Sequence, residues 1–225
     1  MTAKERVAGA AISYVRSGMV VGLGTGSTAD CFLKALSAAI KTGALKDIRG
    51  IATSLQSERR ARELGIPLAA LGACPGPDIT VDGCDEVDAR LDLIKGLGGA
   101  LLREKVVAQN SRKLIIIADS SKRVDVLGSR SPLPIEVVPF GHETHVPFFR
   151  SLGAAPVLRH TPEGSVYITD NGNYVYDCRF SAISNPSAVE NALLHRAGVV
   201  DCGLFLGMAE LALIGDDGSV RELRR

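Results

Sequence analysis

Met19-Val-Val-Gly-Leu-Gly-Thr-Gly-Ser-Thr28 is the stretch that decides the fold. Met19 to Leu23 is a short apolar run with paired valines, the pattern of a buried strand. Gly24-Thr-Gly-Ser-Thr28 turns it into a helix whose expected core face is Ala29, Phe32, Leu33, Leu36 and Ile40. Such a turn exposes backbone N–H groups at the positive end of a helix dipole. With Thr25, Gly26, Ser27 and Thr28 lining it, the turn is equipped to hold an anion, and phosphate is the natural candidate. It is not the dinucleotide fingerprint, because Ser27 stands where a glycine is wanted, and the lysine of a nucleotide P-loop is missing. The competing reading is a tight turn that only joins strand to helix.

Working outward, the same alternation recurs. Upstream, Lys4 to Ser17 places Val7, Ala8, Ala11, Ile12 and Val15 on one helical face, with Gly18 as the stop. Downstream come a strand at Ile48–Ala52, a charged helix ending near Gly65, a short strand at Ile66–Ala69, and a strand over Ile79–Val81. Residues 113–118 are apolar enough for a central strand buried on both faces. Alternating strands and helices predict a mainly parallel sheet. Composition then shifts at Ser129-Arg-Ser-Pro-Leu-Pro134, where a domain boundary is expected. Beyond it we read a strand over Pro134–Val138, a short helix from His142 to Ser151, and a strand over Ala155–Leu158. A hairpin of Val166–Thr169 and Tyr174–Tyr176 about Asn171-Gly172 follows, then a helix from Pro186 to Arg196 and a strand from Val199 to Phe205. Read together, this succession resembles a small βαββαβ layer of the ferredoxin-like kind. Glu210–Ile214, a turn at residues 216–218 and a last short strand return the chain to the first sheet. The expected class is α/β: a Rossmann-like, mainly parallel sheet flanked by helices (residues 1–129 and 206–225), with a second, smaller ferredoxin-like α+β domain (130–205).

Composition limits the function. Lys plus Arg number 26 against 25 Asp plus Glu, a net charge of +1, and aromatics make up only 4%. There is no basic patch and no stacking platform, so no nucleic acid is expected. The N-terminus lacks a signal-like pattern and no apolar run nears the roughly 20 residues of a membrane span, so a cytoplasmic chain with no membrane association is expected. Five cysteines without C-x-x-C spacing read as reduced, mostly buried thiols.

The chemistry concentrates in Val81-Asp-Gly-Cys-Asp-Glu-Val-Asp88 and Leu93-Ile-Lys-Gly-Leu-Gly-Gly-Ala-Leu-Leu-Arg-Glu-Lys105. A strand ending at Val81 delivers Asp82 and Asp85 to its C-terminal edge, where open α/β sheets place ligands. Lys95, Gly96, Gly98 and Gly99 form a loop leading to a helix that carries Glu104. Carboxylates, an ammonium and loop N–H groups are the equipment for moving a proton on a small polar substrate. Asp119-Ser-Ser-Lys122 puts another lysine at a strand's C-terminal end. Each feature has a plainer reading. Glu104, flanked by Arg103 and Lys105, suits a solvated helix face. Asp82 to Asp88 could be a cation loop, but the twelve-residue calcium pattern is absent. His142 and His145 lack zinc-protease spacing and read as exposed polar positions.

Taken together, Gly22–Thr28, Asp82-Gly-Cys-Asp-Glu86, Ile94-Lys-Gly with Arg103-Glu-Lys105, Asp119–Lys122, Pro134-Ile-Glu-Val-Val-Pro139 and Thr169-Asp-Asn-Gly-Asn173 resemble the type A ribose-5-phosphate isomerases over nearly the whole length. The resemblance implies a cofactor-free and metal-free aldose–ketose isomerase of the pentose phosphate route, forming a homodimer or tetramer. It implies Glu104 as general base, assisted by Asp82, Asp85 and Lys95. It implies substrate binding by Thr25, Gly26, Ser27, Thr28, Asp82, Gly83, Cys84, Asp85, Lys95, Gly96, Leu97, Gly98 and Lys122, with Lys4 matching less closely. Two positions depart from the family pattern: Cys84 stands where alanine is usual, and Leu97 where glycine is usual. Leu97 brings a side chain and a φ preference into the loop. Cys84 could make the site thiol-sensitive. Other classes fit the same architecture: a non-catalytic sugar-phosphate sensor, which has no need of Glu104, or an amino-sugar phosphate deaminase or acyl-CoA transferase.

Overall fold

The computed structural model describes residues 1–216 and 218–225. In chain order the elements begin with α1 (Ala3–Ile12), β1 (Val20–Leu23), α2 (Ser27–Lys41), β2 (Arg49–Ala52), α3 (Leu55–Leu64) and β3 (Ile79–Asp82). Then follow β4 (Glu86–Val87), β5 (Leu93–Ile94), α4 (Leu101–Gln109), β6 (Leu114–Asp119), β7 (Leu133–Val137), α5 (His145–Ser151) and β8 (Ala155–Leu158). The chain closes with β9 (Tyr174–Arg179), α6 (Pro186–Leu194), β10 (Val199–Cys202), β11 (Leu204–Phe205), β12 (Leu211–Gly215) and β13 (Val220–Arg224). These elements fall into two compact units. One comprises Met1–Cys84, Arg103–Arg123 and Gly207–Arg225; the other comprises Asp85–Leu102 and Val124–Leu206. Among the described residues, no helix is long and apolar enough to cross a membrane.

The first unit holds a six-stranded sheet in the order β13-β12-β6-β3-β1-β2. Every pairing is parallel except the edge pair β12–β13. Successive strands run outward from β1 in opposite directions, to β2 on one side and β3 on the other, so the switch point of this sheet lies between β1 and β3. The pleat sorts the side chains. Val21, Leu23, Ile79, Val81, Ile115, Ile117, Leu211 and Leu213 enter one core with Val7 and Ala11 of α1 and Phe32, Leu33 and Leu36 of α2. Val20 and Ile51 turn to the other face and pack with Val107 of α4. With period-two alternation, Thr80 and Asp82 belong to this second face.

Two expected elements are shorter than their hydrophobic patterns. The N-terminal helix ends at Ile12 instead of Ser17. There the Ser13 hydroxyl bonds the Ala10 carbonyl, and Ser13, Tyr14 and Val15 close three-residue turns. A hydroxyl competing for a helix carbonyl in this way favours termination. Residues 66–69 form one bridge, Gly50 to Leu68, instead of a strand. Pro67 accepts the Gly50 N–H but has none of its own to extend a ladder. The expected turn at 216–218 includes residue 217, which lies outside the described residues.

The second unit contains a four-stranded antiparallel sheet, order β10-β7-β9-β8, with α5 and α6 in βαββαβ succession. This is the expected ferredoxin-like layer, and its core includes Leu133, Ile135, Val137, Phe149, Tyr176, Cys178 and Leu193. The unit also takes in a small sheet, β11-β5-β4. The run expected as one strand from Val199 to Phe205 is divided between the two sheets. Gly203 is the break: its N–H bonds the Pro134 carbonyl and its carbonyl accepts the Lys95 N–H. The expected hairpin keeps its turn, with Thr169 N–H on the Asn173 carbonyl, but its first arm pairs with residues 159–160 instead, through a His160–Val166 bridge and the Tyr167 N–H on the Arg159 carbonyl. Buried Glu136 accounts for the turn, accepting hydrogen bonds from Thr169 Oγ1 (2.9 Å), Asn171 Nδ2 (3.1 Å) and Asn173 Nδ2 (2.8 Å).

The two histidines expected at exposed positions are not exposed. His145 is buried and stacks on Phe149, and its Nδ1 accepts from Arg196 Nε at 2.9 Å; His142 Nδ1 lies 2.9 Å from the Tyr176 hydroxyl. Burial, then the Arg196 charge and His142, hold the His145 pKa below its ordinary 6.5. The neutral ring is the folded form, so its contribution is intact above pH 6.5 and is lost as pH falls below that value toward the folded pKa. We expect the urea midpoint to drop between pH 7 and pH 5.5, and to drop less in His145→Asn. Equal losses in both proteins would refute this. All five cysteines are free, but only Cys178 and Cys202 are buried; Cys31, Cys74 and Cys84 are half-buried. This corrects the expectation of mostly buried thiols.

Candidate active site

The β1–α2 turn is shaped from within the first unit. Gly24 packs so closely on β3 that an added Cβ would lie 2.6 Å from the Asp82 Cα. Asp82 is 1% exposed, and its Oδ1 accepts the N–H groups of Thr25 (3.1 Å) and Gly83 (2.7 Å). Gly26 follows at φ 101°, a conformation side chains resist, with open space where a Cβ would stand. It is the N-cap of the fifteen-residue α2, yet no side chain caps the first turn. The leading N–H groups of α2 are therefore left uncapped by any side chain, a position where an anion can bind.

The three hydroxyls of this turn divide their work. Thr25 Oγ1 is 2.8 Å from both Thr53 Oγ1 and Ser54 Oγ, tying the turn to the start of α3. Ser54 is also the α3 N-cap. Ser27, exposed, accepts from Lys4 Nζ at 2.8 Å. Thr28 is half-buried. Lys4, the residue least marked by sequence, thus stands beside the helix N-terminus. Lys122 belongs to the same surroundings. Burial works to raise the Asp119 pKa, but hydrogen bonds from Ser121 and the charges of Lys122 and Lys4 hold it below the ordinary carboxylate value. Two lysines and an uncapped helix end gather at the C-terminal rim of β1 and β6, an arrangement suited to phosphate. An adjoining cleft of about 470 Å³ is lined by Gly24, Thr25, Gly26 and Ser27 and, from α3, by Gln56 and Arg59.

Glu104 is only 5% exposed, so it does not lie on a solvated helix face. It shares a face of α4 with Val107, which packs on β1 and β2. Just past the helix end, Ser111 Oγ is 2.6 Å from Thr80 Oγ1. Seven residues back along a helix is roughly 10 Å. Asp82 lies only about 7 Å along β3 in the same direction. Glu104 is therefore carried to the C-terminal edge of the sheet, on the face to which Asp82 turns, near the switch point.

In the second unit, Asp85 is half-buried, and its Oδ2 accepts the Leu97 N–H at 2.9 Å. Lys95 is 3% exposed, with Nζ 5.5 Å from the centre of the Phe205 ring. The loop's left-handed positions are Gly96 and Gly99; Leu97 has no positive φ, and the residue is 40% exposed. Leu97 therefore brings no backbone strain. Gly98 is exposed and Gly83 and Cys84 are half-buried. The acidic stretch is not a single functional cluster. Glu86 is fully buried and accepts N–H groups from Gly128 (2.6 Å), Arg130 (2.7 Å) and Ser131 (2.5 Å). Asp88 accepts those of Arg90 and Asp92. Both are architectural. Arg159 also reaches this loop, its Nη1 lying 3.2 Å from the carbonyls of Gly96 and Leu97. No local motif marks it.

Residues 49–219 match the family model of ribose 5-phosphate isomerase A (phosphoriboisomerase A). The chain is 50% identical over 218 residues to the ribose-5-phosphate isomerase A of Roseiflexus castenholzii, covering 96% of this chain and 93% of that one. Over 223 residues it is 48% identical to the protein of the same name from a Synechococcus species, covering 99% and 96%. Among solved structures, a D-ribose-5-phosphate isomerase in complex with phospho-erythronic acid superposes with a TM-score of 0.97 at 37% identity, covering 99% of this chain and 98% of that one. Ribose 5-phosphate isomerase from Plasmodium falciparum gives 0.96 at 42% identity, with the same coverage. A buried glutamate and an uncapped helix N-terminus lie near one switch point, and the agreement over nearly the full chain establishes that this protein belongs to the ribose-5-phosphate isomerase A family.

Proposed function

We propose that this chain interconverts D-ribose 5-phosphate and D-ribulose 5-phosphate, with Glu104 as the base. The observation that carries the reading is the buried Glu104 at the edge of a sheet whose neighbouring turn offers an uncapped helix N-terminus, Ser27 and Lys4. The phosphate sits at the turn and with Lys4 and Lys122, so that remote binding energy orients the reacting end. After ring opening, the Glu104 carboxylate takes the proton from carbon 2, giving an enediolate, and returns it to carbon 1. The hydroxyl proton on oxygen 2 passes to oxygen 1, with Asp82 and Asp85 as the acids and bases for the oxygen-bound protons. Lys95 and the loop N–H groups stabilise the developing oxyanion, a contribution commonly worth more than the base itself. Phospho-erythronic acid, bound by a relative, supports the scheme: its planar carboxylate resembles the two-oxygen end of the enediolate. A non-catalytic sensor would gain nothing from burying Glu104, which costs desolvation.

The side chains supply every proton transfer, so the reaction is expected to need no added metal or cofactor. The test is conversion of ribose 5-phosphate in the presence of a chelator. Turnover undiminished by chelator supports the reading; a chelator-sensitive rate, or no rate, would overturn it. Lys4→Met is expected to raise KM for ribose 5-phosphate about tenfold, the size of one lost charge-assisted phosphate bond, with a smaller change in kcat. An unchanged KM would remove Lys4 from the phosphate site. We further propose a cytoplasmic homo-oligomer, a dimer or tetramer. The apolar Phe140 and Val157, 93% and 65% exposed, support association, and light scattering at assay concentration measures it.

A further inference from the structure

We propose that Arg159 is a positioning residue for the reaction: it sets the peptide planes of the Lys95–Gly99 loop and so presents the Gly98 N–H to the substrate. The inference rests on the reading that this loop serves the developing oxyanion. Arg159 is fixed from three sides. Asp177 holds the guanidinium by two bonds, Nε to Oδ2 at 2.8 Å and Nη2 to Oδ1 at 2.5 Å. The Tyr167 ring lies with its centre 5.5 Å from the guanidinium carbon. The Arg159 backbone bonds both neighbours, N–H to the Val175 carbonyl and carbonyl from the Tyr167 N–H. Its third nitrogen, Nη1, is thereby aimed at the carbonyls of Gly96 and Leu97, each at 3.2 Å. The arginine side chain is 11% exposed, so the guanidinium is largely withdrawn from water.

The consequence follows from peptide geometry. In a planar trans peptide the C=O and the next residue's N–H point in opposite directions. Drawing the Gly96 carbonyl toward Arg159 sends the Leu97 N–H the other way, where it meets Asp85 Oδ2 at 2.9 Å. Drawing the Leu97 carbonyl to the same guanidinium turns the Gly98 N–H to the Asp85 side as well. Gly98 is exposed there and can meet a ligand. The cation on the carbonyl ends also polarises both amides, making their N–H groups better donors. At the loop's far end, a Cβ on Gly99 would overlap the Tyr167 hydroxyl, so the ring that stacks on Arg159 also limits how far the loop can move.

Arg159→Ala is expected to lower kcat about 10- to 100-fold while KM changes by less than about threefold, the pattern of a lost transition-state donor. Guanidinium chloride in the tens of millimolar should restore about a tenth or more of the lost kcat, and methylammonium should not, because only the planar fork spans both carbonyls and the Asp177 carboxylate. Asp177→Asn, which keeps the arginine but loosens its hold, should show a smaller kcat loss, and it serves as the test if the alanine variant does not fold. Lys95→Met is assayed in parallel. Wild-type kcat in folded Arg159→Ala, or in Asp177→Asn, alongside a disabled Lys95→Met would overturn the inference alone. Wild-type kcat in Lys95→Met would overturn the role assigned to the loop. A loss seen wholly in KM, or equal rescue by both cations, would also contradict the proposal.

Discussion

Glu104→Gln is expected to lower kcat for ribose 5-phosphate by about 10²- to 10⁴-fold, the typical contribution of a positioned general base. Glutamine keeps the volume, the first-turn position on α4 and one carbonyl oxygen, but it cannot accept a proton from carbon. In the proposed scheme phosphate binding does not depend on it, since that task is given to the β1–α2 turn, Lys4, Lys122 and the α2 N–H groups. Affinity for phospho-erythronic acid, measured by calorimetry, should therefore stay within about tenfold of wild type. Loss of binding and turnover together would make Glu104 a substrate-holding group. Retention of both would remove it from the mechanism.

Glu86→Gln should leave the chemistry unaddressed and cost stability. The wild-type carboxylate is fully buried and takes three backbone N–H groups from residues 128–131. An amide presents one acceptor oxygen in place of two and turns an NH₂ toward backbone N–H donors. Charge-assisted bonds of this kind are worth about 1.5–3 kcal/mol each, and an NH₂ facing the buried Gly128 N–H adds to the loss, so a destabilisation of about 3 kcal/mol is expected. Urea denaturation followed by circular dichroism reads it as a lowered midpoint. A midpoint equal to wild type would show that the 128–131 segment does not depend on this carboxylate.

Much of the architecture was legible because it rests on short-range patterns. The β1–α2 turn, the buried run of β6 and the βαββαβ succession each follow from local periodicity and turn residues. What escaped the sequence depends on partners distant along the chain. Residues 199–205 read as one strand because apolar alternation does not show that Gly203 bonds both Pro134 and Lys95. Glu86 sits in the same acidic run as Asp82 and Asp85, and only the fold separates a carboxylate that holds a loop from one that faces the β1–α2 turn. His145 looked like a surface residue because Arg196, which supplies its hydrogen bond, is 51 residues away. The candidate site divides the same way: glycines, hydroxyls and carboxylates announced themselves by spacing, whereas Arg159 has no motif and reaches the loop across 62 residues.

The transfer of the carbon-bound proton by Glu104 is the central step of the proposed reaction, and hydrogen exchange in D₂O observes that step itself. Incubated with wild-type protein to equilibrium and beyond, ribose 5-phosphate should acquire deuterium at carbon 2 and ribulose 5-phosphate at carbon 1, as resolved by NMR. Glu104→Gln, shown to bind the same phosphate compound, should exchange neither position on that timescale. Exchange in the glutamine variant at the wild-type rate would contradict the assignment.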